Sequence, residues 1–358
     1  MTNTQLTTEY IVAEQAPITA EVAADVGNAR TVVLVRTAEQ PTPSVVSMPS
    51  VRTLMPVFSY ALFADRGLPP QSWARLGAGE HVIERDGLER FVGKLAADRG
   101  GAASSGRGSD SRYYDGTTLD FILAGIAAAL PAARQVVAKL TTVIPIALWH
   151  LAPNVEQALR GSYQVRYNGR DVTIRITTVT IRREGEAAFQ ALDGDTSGPV
   201  VVIDGGGRTV NLALFRDGVY RSGATFELGV QAALDTLDAD LVGRGYRRLT
   251  LTERDELEAA LIAGREYSYI CDGQSVRIDG FARIQLDATA RALVQEIRTK
   301  VRIDQARRIA FVGGASYGPL FGTVVRSEIP TIDTGGLREL GNVYGALGAV
   351  PVKKAKKK

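Results

Sequence analysis

Cysteine occurs once in the 358 residues, at Cys271, and histidine twice, at His81 and His150. One thiol excludes an intramolecular disulfide, and three scattered side chains in no ligand spacing exclude a thiolate zinc site. All three are read as structural, and a reducing, cytoplasmic compartment is expected. Long apolar runs are also missing. The most apolar stretch, Phe121 to Ala133, ends at Arg134 and contains Pro131, whereas a bilayer span needs about 20 apolar residues. It reads as a buried helix, and no membrane span is expected. The first residues carry Glu9 and Glu14 and have neither a basic n-region nor a long apolar core, so no signal peptide is expected. Excess charge of one sign is small: Lys+Arg 42 against Asp+Glu 39 leaves +3, too little for a globally basic nucleic-acid binder. Part of that excess lies in Lys353 to Lys358, where five of six residues are lysine. This tail reads as a solvated end.

Hydrophobic residues make up 45% and charged residues 23%, enough to build substantial cores, and the length fits about two domains. The strongest organisational signal is an internal echo. Glu21 to Val35 reads as a strand ending in Asp25, a turn through Gly27 and Asn28, and a second strand. Pro199 to Phe215 reads the same way, with Asp204, then Gly205-Gly206-Gly207, then a strand after Thr209. The second copy continues through Asp217-Gly218 into a third strand, the composition of a hairpin turn. Two such β-meanders, their aspartates 179 residues apart, point to a duplicated domain.

Around them, helices are expected over Leu119 to Ala138 with a bend at Pro131, after a Thr252/Asp255 capping pattern, from Leu286 onward, and from about Leu337. Gly161 to Arg182 alternates as strands, and Ile309-Ala-Phe-Val312 reads as a buried strand leading into Gly313-Gly314. Arg99 to Arg112, rich in Gly, Ser and Arg, is expected to be a mobile surface loop. The expected organisation is a flexible extension at 1–20, a first domain at 21–192 with a closing helix at 337–350 packed back on it, a second domain at 193–336 entered through the turn-rich 193–198, and a basic tail at 351–358.

An Asp held at a strand end before glycines has a definite chemical use. The glycines let the backbone turn tightly and aim successive N–H groups at a phosphate. The carboxylate can hold hydrated Mg²⁺ on the phosphate's far side. Two such turns from two domains would grip a nucleotide tail from opposite sides. A strand ending in Gly-Gly suits close approach of backbone to a purine or ribose.

The three motifs, in this order and spacing, resemble the phosphate-one, phosphate-two and adenosine motifs of the actin-like ATPase superfamily, most of all the ParM-type plasmid-segregation actins and their archaeal and bacterial actin-like relatives. His81 to Ala96, Leu159 to Gly161 and Glu339 to Gly345 resemble further segments of that family, and the likeness runs from about Glu21 to Val350. The resemblance implies an α/β chain of two duplicated RNase H-like domains, with a cleft between them for ATP or GTP and Mg²⁺. It implies Asp25 and Asp204 as the Mg²⁺-proximal carboxylates. Gly27, Asn28, Gly205, Gly206, Gly207 and Thr209 would face the phosphates, and Gly313 and Gly314 the adenosine. Arg183-Glu184-Gly185-Glu186-Ala187-Ala188 resembles the segment that orients the attacking water, which points to Glu184. The implied activity is a Mg²⁺-dependent nucleoside triphosphatase coupled to assembly of a homopolymeric filament, with cargo DNA reached through a separate DNA-binding adaptor rather than by direct sequence-specific contact. A non-polymerising actin-like scaffold, or a small-molecule kinase of the same superfamily, are the alternatives. The sequence departs from the family pattern at Val32, where a lysine is usual, at Arg183, where a proline is usual, and at Asn211, where an aspartate is usual.

Overall fold

The computed structural model describes residues 16–54, 76, 79–98, 104–105, 110–318, 320–330, 332–333, 337 and 340–348. The basic tail and most of the amino-terminal extension lie outside them. In chain order the first strands are β1 (Ile18–Val26), β2 (Arg30–Thr37), β3 (Ser44–Pro49), β4 (Val51–Leu54), β5 (Glu80–Arg85), β6 (Leu88–Gly93), β7 (Ser104–Ser105), β8 (Gln135–Ile144), β9 (Gly161–Tyr167) and β10 (Arg170–Arg183). They form one sheet in the order β3-β2-β1-β8-β10-β9-β5-β6-β4-β7. The helices of this part are α1 (Lys94–Asp98), α2 (Thr117–Ala129) and α3 (Ala152–Leu159), followed by α4 (Glu186–Gln190). A second sheet then begins with β11 (Pro199–Gly205), β12 (Val210–Arg216) and β13 (Val219–Phe226). After α5 (Val230–Gly243) and α6 (Leu251–Ile262) come the hairpin β14 (Ser268–Cys271) and β15 (Gln274–Arg277), α7 (Asp279–Lys300), β16 (Arg308–Val312), α8 (Phe321–Glu328), β17 (Ile332–Asp333) and α9 (Gly341–Leu347). The second sheet runs β13-β12-β11-β16-β17.

The two sheets repeat one plan. In each, a strand pairs antiparallel with the strand that follows its turn and parallel with a later one: β1 with β2 and β8, β11 with β12 and β16. Because strand side chains alternate between faces, each central strand supplies two layers. From β1 and β2, Val22, Ala24, Val33 and Val35 join Phe121, Ile122 and Ile126 of α2 in one core, while Ala23, Val32 and Leu34 face the other way. From β11, Val201 and Ile203 pack on Leu234, Leu237, Leu293 and Val294 of α5 and α7, while Val200 and Val202 face the other way.

Those second faces are covered by two short helices. Phe189 of α4 stacks on Phe215 of β12 at 3.9 Å and 8°, closing the second sheet. Val343, Ala346 and Leu347 of α9 pack on Ala23, Val32 and Leu34, closing the first. The two helices meet so tightly that a Cβ at Gly345 would stand 1.6 Å from the Ala187 carbonyl oxygen, so only glycine fits.

Several element limits differ from expectation. α2 stops at Ala129, and residues 135–138, expected to be helical, open β8 instead; their Val-Val-Ala pattern fits a strand buried between β1 and β10. The capping box of α6 is Thr250 with Glu253, not Thr252 with Asp255. α7 starts at Asp279, well before Leu286. Within the segment expected to be a loop at 99–112, residues 99–103 and 106–109 lie outside the described ones, but Asp110–Tyr113 forms a 3-10 turn that buries Arg112 and Tyr113. β1 already begins at Ile18, inside the expected extension. Ala188, Phe189 and Ala191, placed in the expected first domain, pack on the second sheet.

Candidate functional site

Strand register places the two aspartates. Asp25 follows Ala23 on the face of β1 turned toward α9, and Asp204 follows Val202 on the face of β11 turned toward α4. Asp25 pairs with Val32 and Asp204 with Asn211 across their turns. The turns are closed alike: Gly27 N–H donates to the Arg30 carbonyl at 3.1 Å, and Gly206 N–H to the Thr209 carbonyl at 2.9 Å. They approach each other closely, a Cβ at Gly207 falling 2.7 Å from that of Ala29. Gly313, at φ +85°, turns the chain under Asp204, where a Cβ would come 2.4 Å from the Gly205 oxygen.

Between the turns lies a cleft of about 660 Å³. Its lining includes Asp25, Gly27, Asn28, Glu184, Asp204, Gly205, Gly206, Gly207, Thr209, Gly313 and Gly314. Every residue expected from the sequence is thus brought to one cavity. Val230, Gln231, Asp255, Glu258, Ala259 and Ile262, from α5 and α6, form another part of the wall. These were not expected; nothing in their local sequence marks them, because only the packing of α5 and α6 on the second sheet brings them there.

One amide ties the charged end together. Asn342 Nδ2 donates to Asp25 Oδ2 at 3.1 Å and to Asp204 Oδ2 at 2.8 Å, while its Oδ1 accepts from Gly185 N–H at 3.1 Å. Asn211, paired with Asp204 on the strand, donates to Glu184 Oε2 and accepts from Ile146 N–H at 3.1 Å and Thr225 Oγ1 at 2.7 Å. Both asparagines are missing from the expected site. Asn342 sits in the motif at 339–345 and Asn211 stands where the family pattern has an aspartate, which carried the signals.

Burial raises the pKa of all three carboxyls. Glu184 is pushed well above the usual range by desolvation and by the charges of Asp25 and Asp204, against the pull of Arg112 and the Asn211 amide. Asp204 rises to about 7 through desolvation and the Asp25 charge, opposed by Asn342. Asp25 rises through desolvation, moderated by the Asn342 hydrogen bond and the Arg112 charge. The site is therefore short of positive charge.

The neighbouring glutamate behaves differently. Glu186 binds Arg183 at 3.1 Å, and that guanidinium lies 3.8 Å from the centre of the Trp149 ring and 4.8 Å from that of Tyr220. Among the described residues no group of three or more His, Cys, Asp or Glu is arranged to hold a metal ion. Cys271 is buried and accepts from Arg247 N–H, and His81 Nδ1 is 2.7 Å from the Tyr167 hydroxyl.

Residues 23–186 match the family model described as actin like proteins N terminal domain. The chain superposes on the native structure of Ta0583, an archaeal actin homolog, with TM-score 0.69 at 20% identity, covering 92% of this chain and 98% of that one. The fold is actin-like. The actin-like protein Alp7A gives TM-score 0.63 at 16% identity over 93% of this chain and 96% of its own. Bacillus thuringiensis ParM with ATP gives 0.63 at 14% over 92% and 97%. No curated protein matches the sequence. Among the described residues no helix of this actin-like chain is long and apolar enough to cross a membrane.

Proposed function

We propose that this chain is a nucleotide-dependent, filament-forming actin-like protein that binds and hydrolyses ATP or GTP with Mg²⁺ in the cytoplasm. Its proposed role is DNA segregation through a separate adaptor, or another bacterial cytoskeletal task. The observation that supports this most is the pair of Asp-bearing turns, closed by equivalent hydrogen bonds and facing one another across a cavity that also contains Glu184 and Gly313–Gly314. A structure of Ta0583 holds ADP, and one of B. thuringiensis ParM holds ATP.

The donor set suits Mg²⁺. Two carboxylates bridged by one amide leave room for the water and phosphate oxygens that this ion prefers to an all-protein cage. Asp25 and Asp204 would hold it, and it would supply the positive charge these carboxyls lack. Backbone N–H groups of the two turns bind the phosphates. Glu184, fixed by Asn211, orients a water, a geometric role more than a strong-base one.

Calorimetric titration with Mg·ATP should show binding that is lost in Asp25→Ala and Asp204→Ala while both variants remain folded. Unchanged affinity in both would remove the site assignment. Pelleting and negative-stain imaging should show filaments at micromolar protein with ATP or GTP. Monomers under every nucleotide and salt condition would favour a non-polymerising scaffold.

A further inference from the structure

Arg112 stands behind the first turn. It belongs to the 3-10 turn Asp110–Tyr113, is 4% exposed, and donates to Asn28 Oδ1 at 3.0 Å, while Asn28 lines the cleft. A second nitrogen donates to the Tyr113 hydroxyl at 2.6 Å, and the guanidinium lies 4.6 Å from that ring's centre. The charged and titratable groups whose fields meet here come from several elements: Asp25 at the end of β1, Glu184 just beyond β10, and Tyr113 on its own turn, with Asp204 of β11 acting on Glu184 and itself acted on by Asp25. Burying a guanidinium is costly unless opposite charge and hydrogen bonds compensate, and here the carboxyls, Asn28 and Tyr113 do so. Arg112 itself is not among the residues that line the cleft, so it reaches the first turn from behind.

We infer that Arg112 is a positioning residue of the nucleotide site: it holds Asn28 in the first turn and offsets the negative charge that a polyphosphate meets beside Asp25 and Glu184. This rests on the nucleotide-binding reading above. Arginine alone suits both tasks, because its fork reaches Asn28 and Tyr113 together, whereas lysine supplies a single point of charge.

The test uses the full chain with Arg112→Met or Arg112→Lys, each also combined with Glu184→Gln. Titration with Mg·ATP should show Arg112→Met binding roughly ten- to a hundredfold more weakly, on the scale of a lost charge-assisted contact. Arg112→Lys should recover part of that. With Glu184→Gln the loss should shrink severalfold, since one charge that Arg112 offsets is gone.

Affinity within about twofold of wild type overturns the inference. So does an equal loss in both backgrounds, the mark of a merely structural role. Should Arg112→Met not fold, Arg112→Lys still decides: it must bind Mg·ATP more weakly than wild type, and wild-type affinity overturns the inference. Wild-type protein that binds no Mg·ATP removes the functional reading along with the inference. Wild-type binding with an indifferent Arg112→Met removes the inference alone.

Discussion

At the scale of single residues, Glu184 and Glu186 are two positions apart and have different partners. Glu184 is 8% exposed, lines the cleft and receives the Asn211 amide, while Glu186 binds Arg183. Glu184→Ala should therefore spare Mg·ATP binding and slow phosphate release by about ten- to a thousandfold. Glu186→Ala should leave phosphate release near wild type. Normal release in the first with slow release in the second would transfer the role to Glu186.

Asp204 yields a pH prediction. Its folded pKa of about 7 lies above the unfolded value. The folded state thus holds more protons between the two, and the ligand-free protein loses stability as pH rises through that window. Asp204→Asn keeps a group that can accept from Asn342 and removes the charge. It should raise ligand-free stability by about 1–3 kcal/mol near pH 8 and by almost nothing near pH 4. Chemical denaturation at both pH values checks this, and equal effects would show that the carboxyl is not held high.

The residues that could be read in advance were those whose local sequence has few uses: an Asp before glycines, or Gly-Gly after a buried strand. Arg112 could not be read so, because an arginine at the end of a Gly/Ser-rich stretch acquires meaning only from partners far along the chain. Arg112 reaches Asn28 across 84 positions.

At the scale of elements, alternation and turn chemistry made the two meanders legible, since a strand's faces follow from a two-residue period. Helix limits were less so. Ala132 to Ala138 carries on the alanine-rich composition of α2 beyond Pro131, yet residues 135–144 are a strand because β1 and β10 offer parallel partners on either side. The Thr250 box was hidden by the equally plausible Thr252 three residues before Asp255. The closing helix is expected to pack on the first domain, but its contact with α4 in particular was not legible, because a five-residue helix carries too little periodicity to announce a partner. Gly345→Ala drives a methyl group into the Ala187 carbonyl and should cost about 3 kcal/mol as the two helices part. Because the same separation draws Asn342 away from Asp25 and Asp204, Mg·ATP affinity should fall as well. Unchanged melting and affinity would mean that the helices can shift without consequence.

At the scale of the whole molecule, the cleft is lined from both sheets, and its two aspartates are bridged by an amide from the closing helix α9. Asn342 stands 317 positions after Asp25 and 138 after Asp204. Every described residue that lines the cleft, from Asp25 to Gly318, precedes it. On a ribosome, the two sheets could therefore begin to fold while the amide that joins their aspartates had yet to be synthesised. During that interval the nascent chain would hold unbridged carboxylates and an uncovered apolar face over Ala23, Val32 and Leu34. On the proposed nucleotide-binding reading, capture of the nucleotide waits until residue 342 has been made.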